Sequence, residues 1–112
     1  MSQKEREKLL RRIQQIKKEL SELGEMRPGS LSKQYNVCGN PNCRCKRPDN
    51  PLRHGPYYQI SYSRKGKSKT EFVKAGQVKK VIQQLKNYQI FKKLSDEWVE
   101  LSLRIARLSK QR

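Results

Sequence analysis

From Pro56 the chain reads PYYQISYS (56–63), RKGK (64–67) and SKTEFVK (68–74). Tyr58, Ile60 and Tyr62 alternate with Tyr57, Gln59, Ser61 and Ser63, the period of two that marks a strand with unlike faces. In the second run Thr70 and Phe72 share one side, and Lys69, Glu71 and Val73 the other. Arg64-Lys65-Gly66-Lys67 between them is a short glycine-containing turn, so the segment reads as a β-hairpin. The reading turns Tyr58, Ile60, Tyr62 and Phe72 inward. It leaves Arg64, Lys65, Lys67 and Lys69 on the tip and outer face. A lone hairpin is marginal in water, so this one must pack on a helix or a third strand.

Immediately before the hairpin, and running into it, lies VCGNPNCRCKRPDNPLRHGPYY (37–58). It holds all three cysteines, Cys38, Cys43 and Cys45, the only histidine, His54, and four of the five prolines. A segment so rich in Pro, Gly and Asn does not make a long helix or strand, and it has few apolar groups to hold it. Cysteines and histidine in the order C-x4-C-x-C-x8-H supply the donor set of a structural Cys3His zinc site, with Cys38, Cys43, Cys45 and His54 as ligands. Gly39 and Pro41 shape a tight loop, and Arg44, Lys46 and Arg47 offset the charge of three thiolates. Asp49 or water are the substitutes for His54. The competing reading is three thiols without metal, with His54 only capping the turn before Gly55-Pro56. A catalytic zinc is not expected, because no Glu or second His sits nearby as general base. An odd number of closely spaced cysteines argues against a disulfide framework, and no C-x-x-C redox pair is present.

Helices flank this centre. In residues 2–24, Leu9, Ile13, Ile16, Leu20 and Leu23 recur at steps of 4, 3, 4 and 3, with charge on the other faces. Ser2 and Glu5 have capping-box spacing, and Gly24 and Pro28-Gly29 end the helix. Residues 25–36, EMRPGSLSKQYN, read as a connector. Residues 77–109 contain no Gly or Pro and repeat Val78, Ile82, Leu85, Tyr88, Phe91, Leu94, Trp98, Leu101, Ile105 and Leu108. That is a helix of about 50 Å. Its second half matches the apolar seam of the first helix. The expected fold is therefore α+β: one domain over 1–112, with a small zinc-stabilised hairpin head in 25–76. Helices 1–24 and 77–112 form a long antiparallel, coiled-coil-like hairpin. Pairing of the seams between chains, as a homodimer or with another protein, is the rival arrangement.

MRPGSLSKQYNVCGNPNCRCKR followed by HGPYYQISYSRKGKSKTEFV resembles a widespread uncharacterised family of small basic prokaryotic proteins. Its shared pattern falls here on Cys38, Gly39, Pro41, Cys43, Cys45, His54, Gly55, Pro56, Tyr57 and Tyr58. The resemblance runs from about Met26 to Trp98. It implies a prokaryotic, archaeal or mobile-element origin and carries no established activity. The hairpin-then-helix order is also similar, in fold pattern, to the arm-binding domains of phage-type integrases.

Charge narrows the function. The 112 residues carry 27 Lys and Arg against 10 Asp and Glu, a net charge of +17, and only 33% are hydrophobic. Such a field attracts polyanions and speeds their association. The most one-sided part is residues 25–76. No apolar run approaches a membrane span and the N-terminus lacks a secretory signal, so a cytoplasmic, nucleoid-associated protein without membrane contact is expected. With one histidine already claimed by zinc and no carboxylate cluster, an enzyme is not expected. The expected function is nucleic-acid binding: a groove-reading ribbon suits DNA, exposed aromatics suit a structured RNA, and the resemblance to mobile-element proteins and integrase arms implies a slight preference for DNA. An RNA-binding ribonucleoprotein subunit and a coiled-coil assembly protein are the alternatives. The candidate contacts are Lys33, Arg44, Lys46, Arg47, Arg53, Arg64, Lys65, Lys67 and Lys69 on phosphate, Gln59 on base edges, and Tyr57 stacked on an unpaired base.

Overall fold

The computed structural model describes residues 3–36, 40–47 and 54–110, with backbone only at Asn36, His54 and Lys110. Helix α1 spans Gln3–Ser21, strand β1 Ser30–Asn36, β2 His54–Arg64 and β3 Lys67–Val73, and helix α2 spans Val78–Lys110. Short 3-10 turns lie at Arg44–Lys46 and Ala75–Gln77. Ser2, the expected cap of α1, lies outside the described residues. The class is α+β, and the chain divides into two compact units, residues 1–27 with 86–112, and Pro28–Leu85.

The first unit is built by the seam seen in the sequence. Leu9, Ile13 and Ile16 of α1 form one buried cluster with Leu94 and Leu101 of α2. Leu20, Trp98, Ile105 and Leu108 pack against its margin. The helices run antiparallel, because partners fall along α2 as they rise along the N-terminal segment. Glu5 meets Arg104, Arg12 meets Glu97, and the Glu25 carbonyl just past α1 accepts from Asn87. Ile16 is fully buried, since it sits mid-seam where both helices cover it. α1 ends as its last carbonyls find local donors: the Ser21 hydroxyl and the Glu22 N–H both donate to the Lys18 carbonyl. Asn87, 8% exposed, is the buried polar side chain of the described core. Its amide donates to the Glu25 carbonyl at 2.8 Å, which meets the rule that a buried polar group needs a partner.

The second unit contains a three-stranded antiparallel sheet in the order β1-β2-β3. The expected hairpin is present as β2 and β3. The third strand it required comes from Ser30–Asn36, which the sequence reading leaves as a connector. Seven residues with small polar alternation carry a weak strand signal. Pairing with β2 makes the strand, since it satisfies backbone groups along the hairpin's open edge.

Register fixes the faces. Arg64 pairs with Lys67 across Lys65-Gly66, whose φ values of 52° and 78° are both positive, as a two-residue hairpin turn requires. Gln59 then faces Phe72, and Tyr58 faces Val73. On the β1 side, Leu31 faces Ile60 and Ser32 faces Gln59. One face therefore carries Leu31, Lys33, Tyr58, Ile60, Tyr62, Lys69, Glu71 and Val73. Ile60 at its centre is fully buried. This corrects two expectations. Phe72 lies on the opposite face from Ile60 and is 75% exposed, and Lys69 lies on the Ile60 face, opposite Tyr62. The alternation within each strand is as read, but the second strand's phase relative to the first is set by cross-strand pairing, which reverses it. Among the described residues no helix is long and apolar enough to cross a membrane.

Candidate nucleic-acid interface and metal loop

The cations of the second unit are set out by its backbone. Lys65 occupies the left-handed first position of the turn, so its side chain is carried at the tip of β2 and β3. Arg64 and Lys67 flank it as the last paired residues of their strands. Lys69 follows two residues along β3, and Lys33 stands on β1 opposite Tyr58. All five are exposed. Lys33 Nζ lies 5.8 Å from the Tyr35 ring centre, a cation–π distance that keeps the ammonium over an exposed ring. Arg44 and Lys46 sit in the 3-10 turn, and Arg47 ends it; all three are exposed. Arg53 lies outside the described residues. Among the described residues of Pro28–Leu85, eleven Lys and Arg stand against Glu71 alone. The Tyr62 hydroxyl donates to Glu71 Oε1 at 3.3 Å.

Tyr57 and Gln59 belong to the other face of the sheet. Tyr57 is 40% exposed beside Gln34 of β1, and Gln59, half-buried, lies between Ser32 and Phe72. The expected nucleic-acid residues are thus divided. The hairpin cations occupy the tip and the Ile60 face, while Tyr57 and Gln59 occupy the reverse. Phe72, which the sequence reading turns inward, joins the latter pair. Its position follows from counting registers back from Lys65-Gly66.

The metal loop is seen in part. Its described stretch, 40–47, is a run of tight turns. The Asn42 N–H donates to Asn40 Oδ1 at 3.0 Å, and the Cys43 N–H to the Asn40 carbonyl at 3.2 Å. The Lys46 N–H then donates to the Cys43 carbonyl at 3.0 Å, closing the 3-10 turn that carries Cys45. Cys45 is 3% exposed and Cys43 half-buried, although the residues around them are charged or polar and exposed. Cys38 and the His54 side chain lie outside the described residues. The His54 backbone pairs with Asn36, across an irregularity in the β1–β2 ladder at Gln34–Asn36. That pairing brings the strand position of His54 beside the residue two before Cys38. Gly55, next to His54, has φ of 133°, and a Cβ there would come within 2.8 Å of the Gln34 carbonyl oxygen. Only glycine fits this approach. Among the described residues no three His, Cys, Asp or Glu side chains gather as a metal site.

No curated protein and no solved structure matches the chain. Residues 6–83, from α1 through the sheet into the start of α2, match the model of a family described as a domain of unknown function, DUF6788, and the chain belongs to that family.

Proposed function

We propose that this protein binds nucleic acid through the cations of its sheet unit, with DNA the preferred partner, and that zinc holds the loop between β1 and β2. The observation that carries the reading is the charge of that unit. A single described carboxylate cannot neutralise eleven cations, and a polyanion that does so releases its own counterions. The ribbon of β2 and β3, with Arg64, Lys65 and Lys67 at its tip, has the form of a groove-entering element. Zinc is supported by the donor chemistry. Cys43 and Cys45 sit in one tight turn, Cys45 is buried in a loop with almost no apolar residues, and the Asn36–His54 pairing brings the two ends of the loop together. When bound, the ion would tie the loop to the sheet, and Arg44, Lys46 and Arg47 would offset the thiolate charge.

The test is titration of labelled duplex DNA and structured RNA of matched length, over a range of salt, with the native chain and with K65E/K67E. The double variant should bind more weakly and with a shallower salt dependence. Unaltered affinity would remove the hairpin tip from the site, and no binding by the native chain at low salt would sink the reading.

A second reading, protein assembly, draws on α2. Val99 is 58% exposed and Leu103, one turn on, 47%. With Ser95, Trp98 and Ser102 they line a shallow groove of about 390 Å³. Sedimentation across a dilution series separates this reading: it requires a complex that V99E disrupts.

A further inference from the structure

Ten residues share the sheet face opposite Ile60: Ser30, Ser32 and Gln34 of β1, Tyr57, Gln59, Ser61 and Ser63 of β2, and Ser68, Thr70 and Phe72 of β3. None is charged, in a chain where 33% of residues are. None is aliphatic. The face consists of hydroxyls and amides with two exposed aromatic rings, Tyr57 and Phe72. We infer that this face is a platform for unpaired nucleotides, with Phe72 and Tyr57 stacking on bases and Gln59 placed between them to reach a base edge. The inference rests on the nucleic-acid reading above and names the form of ligand.

A phenyl ring left three-quarters in water gains little for the fold, and at the β3 end of the row Ser32–Gln59–Phe72 its backbone is held by the strand. Gln59 lies directly across from it, and Tyr57 is its diagonal neighbour, at a Cα separation of about 7–8 Å. The hydroxyls further along are engaged with one another. Ser61 and Thr70 approach to 3.2 Å, and Ser63 and Ser68 to 2.9 Å. That ladder leaves the amides and rings at the other end as the groups able to meet a ligand.

The ligand chemistry follows from what surrounds the face. A membrane or an apolar protein surface would bury eight polar side chains against two rings, which costs more than it returns. An acidic protein would be drawn to the cations of the tip and the reverse face, not to this neutral area. A duplex hides its base faces, so two exposed rings have nothing there to stack on. Single-stranded nucleic acid matches both features: its phosphates meet the basic rim at Arg64, Lys65 and Lys67, and its neutral, flat bases meet the rings. Stacking tolerates any base, so the expected preference is for strandedness over sequence.

The test compares one labelled oligonucleotide sequence as single-stranded DNA, single-stranded RNA and DNA duplex. Each is titrated with the native chain, with Phe72→Thr, which keeps strand propensity without a ring, and with Phe72→Tyr. Phe72→Thr should weaken single-strand binding by about ten-fold or more while changing duplex binding by less than about two-fold. The salt slope should stay the same, because no charge is removed. Phe72→Tyr should restore affinity. Loss confined to DNA or to RNA identifies the strand bound. If Phe72→Thr binds single strands like the native chain, the inference is overturned while the charge-based reading stands. Equal losses on single strand and duplex, or a change only in self-association of the chain, also overturn it. Failure of the native chain to bind any of the three removes both readings.

Discussion

Arg12 and Glu97, 85 residues apart in sequence, form a two-pronged pair: Nε lies 2.6 Å from Oε2 and the terminal nitrogen Nη2 2.9 Å from Oε1. The two donors of the guanidinium fork match the spacing of the two carboxylate oxygens. The pair fixes which turn of α1 lies beside which turn of α2, since sliding the helices by one turn would part it. Arg12 Nη1 also lies 3.6 Å from Glu19 Oε2 on its own helix.

The hydrogen bonds from Arg12 hold the Glu97 carboxyl below the usual carboxylate range, against a smaller opposing effect of burial. A carboxyl whose pKa is lowered by folding contributes stability that is present above its unfolded pKa and lost as pH falls through its folded one. E97Q should therefore melt below the native chain at neutral pH. The gap should close as the pH is lowered through and below the carboxylate range, and high salt should also narrow it, because both side chains are more than a third exposed. Thermal melts at several pH values check this; a gap that persists in strong acid would mean that packing, not charge, sets the difference.

Asn87 is expected to matter more than its polar character suggests. Its amide reaches the carbonyl of Glu25 from the first third of α2, beside Gly24, and it is buried. Asn87→Leu removes the donor and leaves the Glu25 carbonyl, beyond the end of α1, with one partner fewer. The expected loss is about 1–3 kcal/mol by denaturant titration. Equal stability of the variant would show that water reaches that carbonyl.

Ile16→Ala should be more costly, about 2–5 kcal/mol, because the side chain is fully buried between two helices and the cavity has no neighbour free to fill it. The same measurement on Ile13 at 6% exposure should give a similar figure, and Leu10, on the outer face at 39%, should give little. Near-equal costs for Ile16 and Leu10 would deny the α1–α2 seam.

The seam was legible because it is local: steps of 3 and 4 state a helix face, and two such faces of matched length pair. The hairpin was legible for the same reason, through alternation and a glycine turn. Strand β1 was not, because Ser30–Asn36 has no strong strand signal of its own and becomes a strand only by pairing with His54–Ser61 of β2, well beyond local reach. Phe72 lies on the face opposite to the expected one for a related reason. Alternation tells which residues of one strand share a side, but the match between two strands depends on register, and one residue reverses it. The candidate cations could be named from composition, yet their placement on the tip and the Ile60 face is a product of that register. The metal loop has neither period nor register to read, and its reading rests on the chemistry of Cys38, Cys43, Cys45 and His54.

Lys65 allows fold and binding to be separated. Its φ of 52° suits asparagine better than lysine at the first position of this turn. Lys65→Asn should hold or raise stability, by up to about 1 kcal/mol. If the side chain meets a phosphate, it should also reduce the salt slope of binding by about one counterion. A stable variant with native affinity and slope would show that the tip's charge lies outside the interface, with no folding defect to blame.

If Cys38, Cys43, Cys45 and His54 hold zinc, the purified protein should carry about one equivalent of zinc per chain. Cys45→Ser should lower that content more than Asp49→Asn does. Chelation should then expose amides of residues 37–58 to hydrogen exchange, because the sequence around Cys45 offers few apolar residues to replace the metal. The amides of α2 within the helix pair should keep their protection, since Leu94, Leu101 and their α1 partners do not depend on the loop. Protection in β1 and β2 should fall from the loop end first, near Asn36 and His54, where the ladder is already irregular. Zinc-free protein with unchanged exchange across 37–58 would exclude the metal and leave Cys45 as a buried thiol packed by the loop itself.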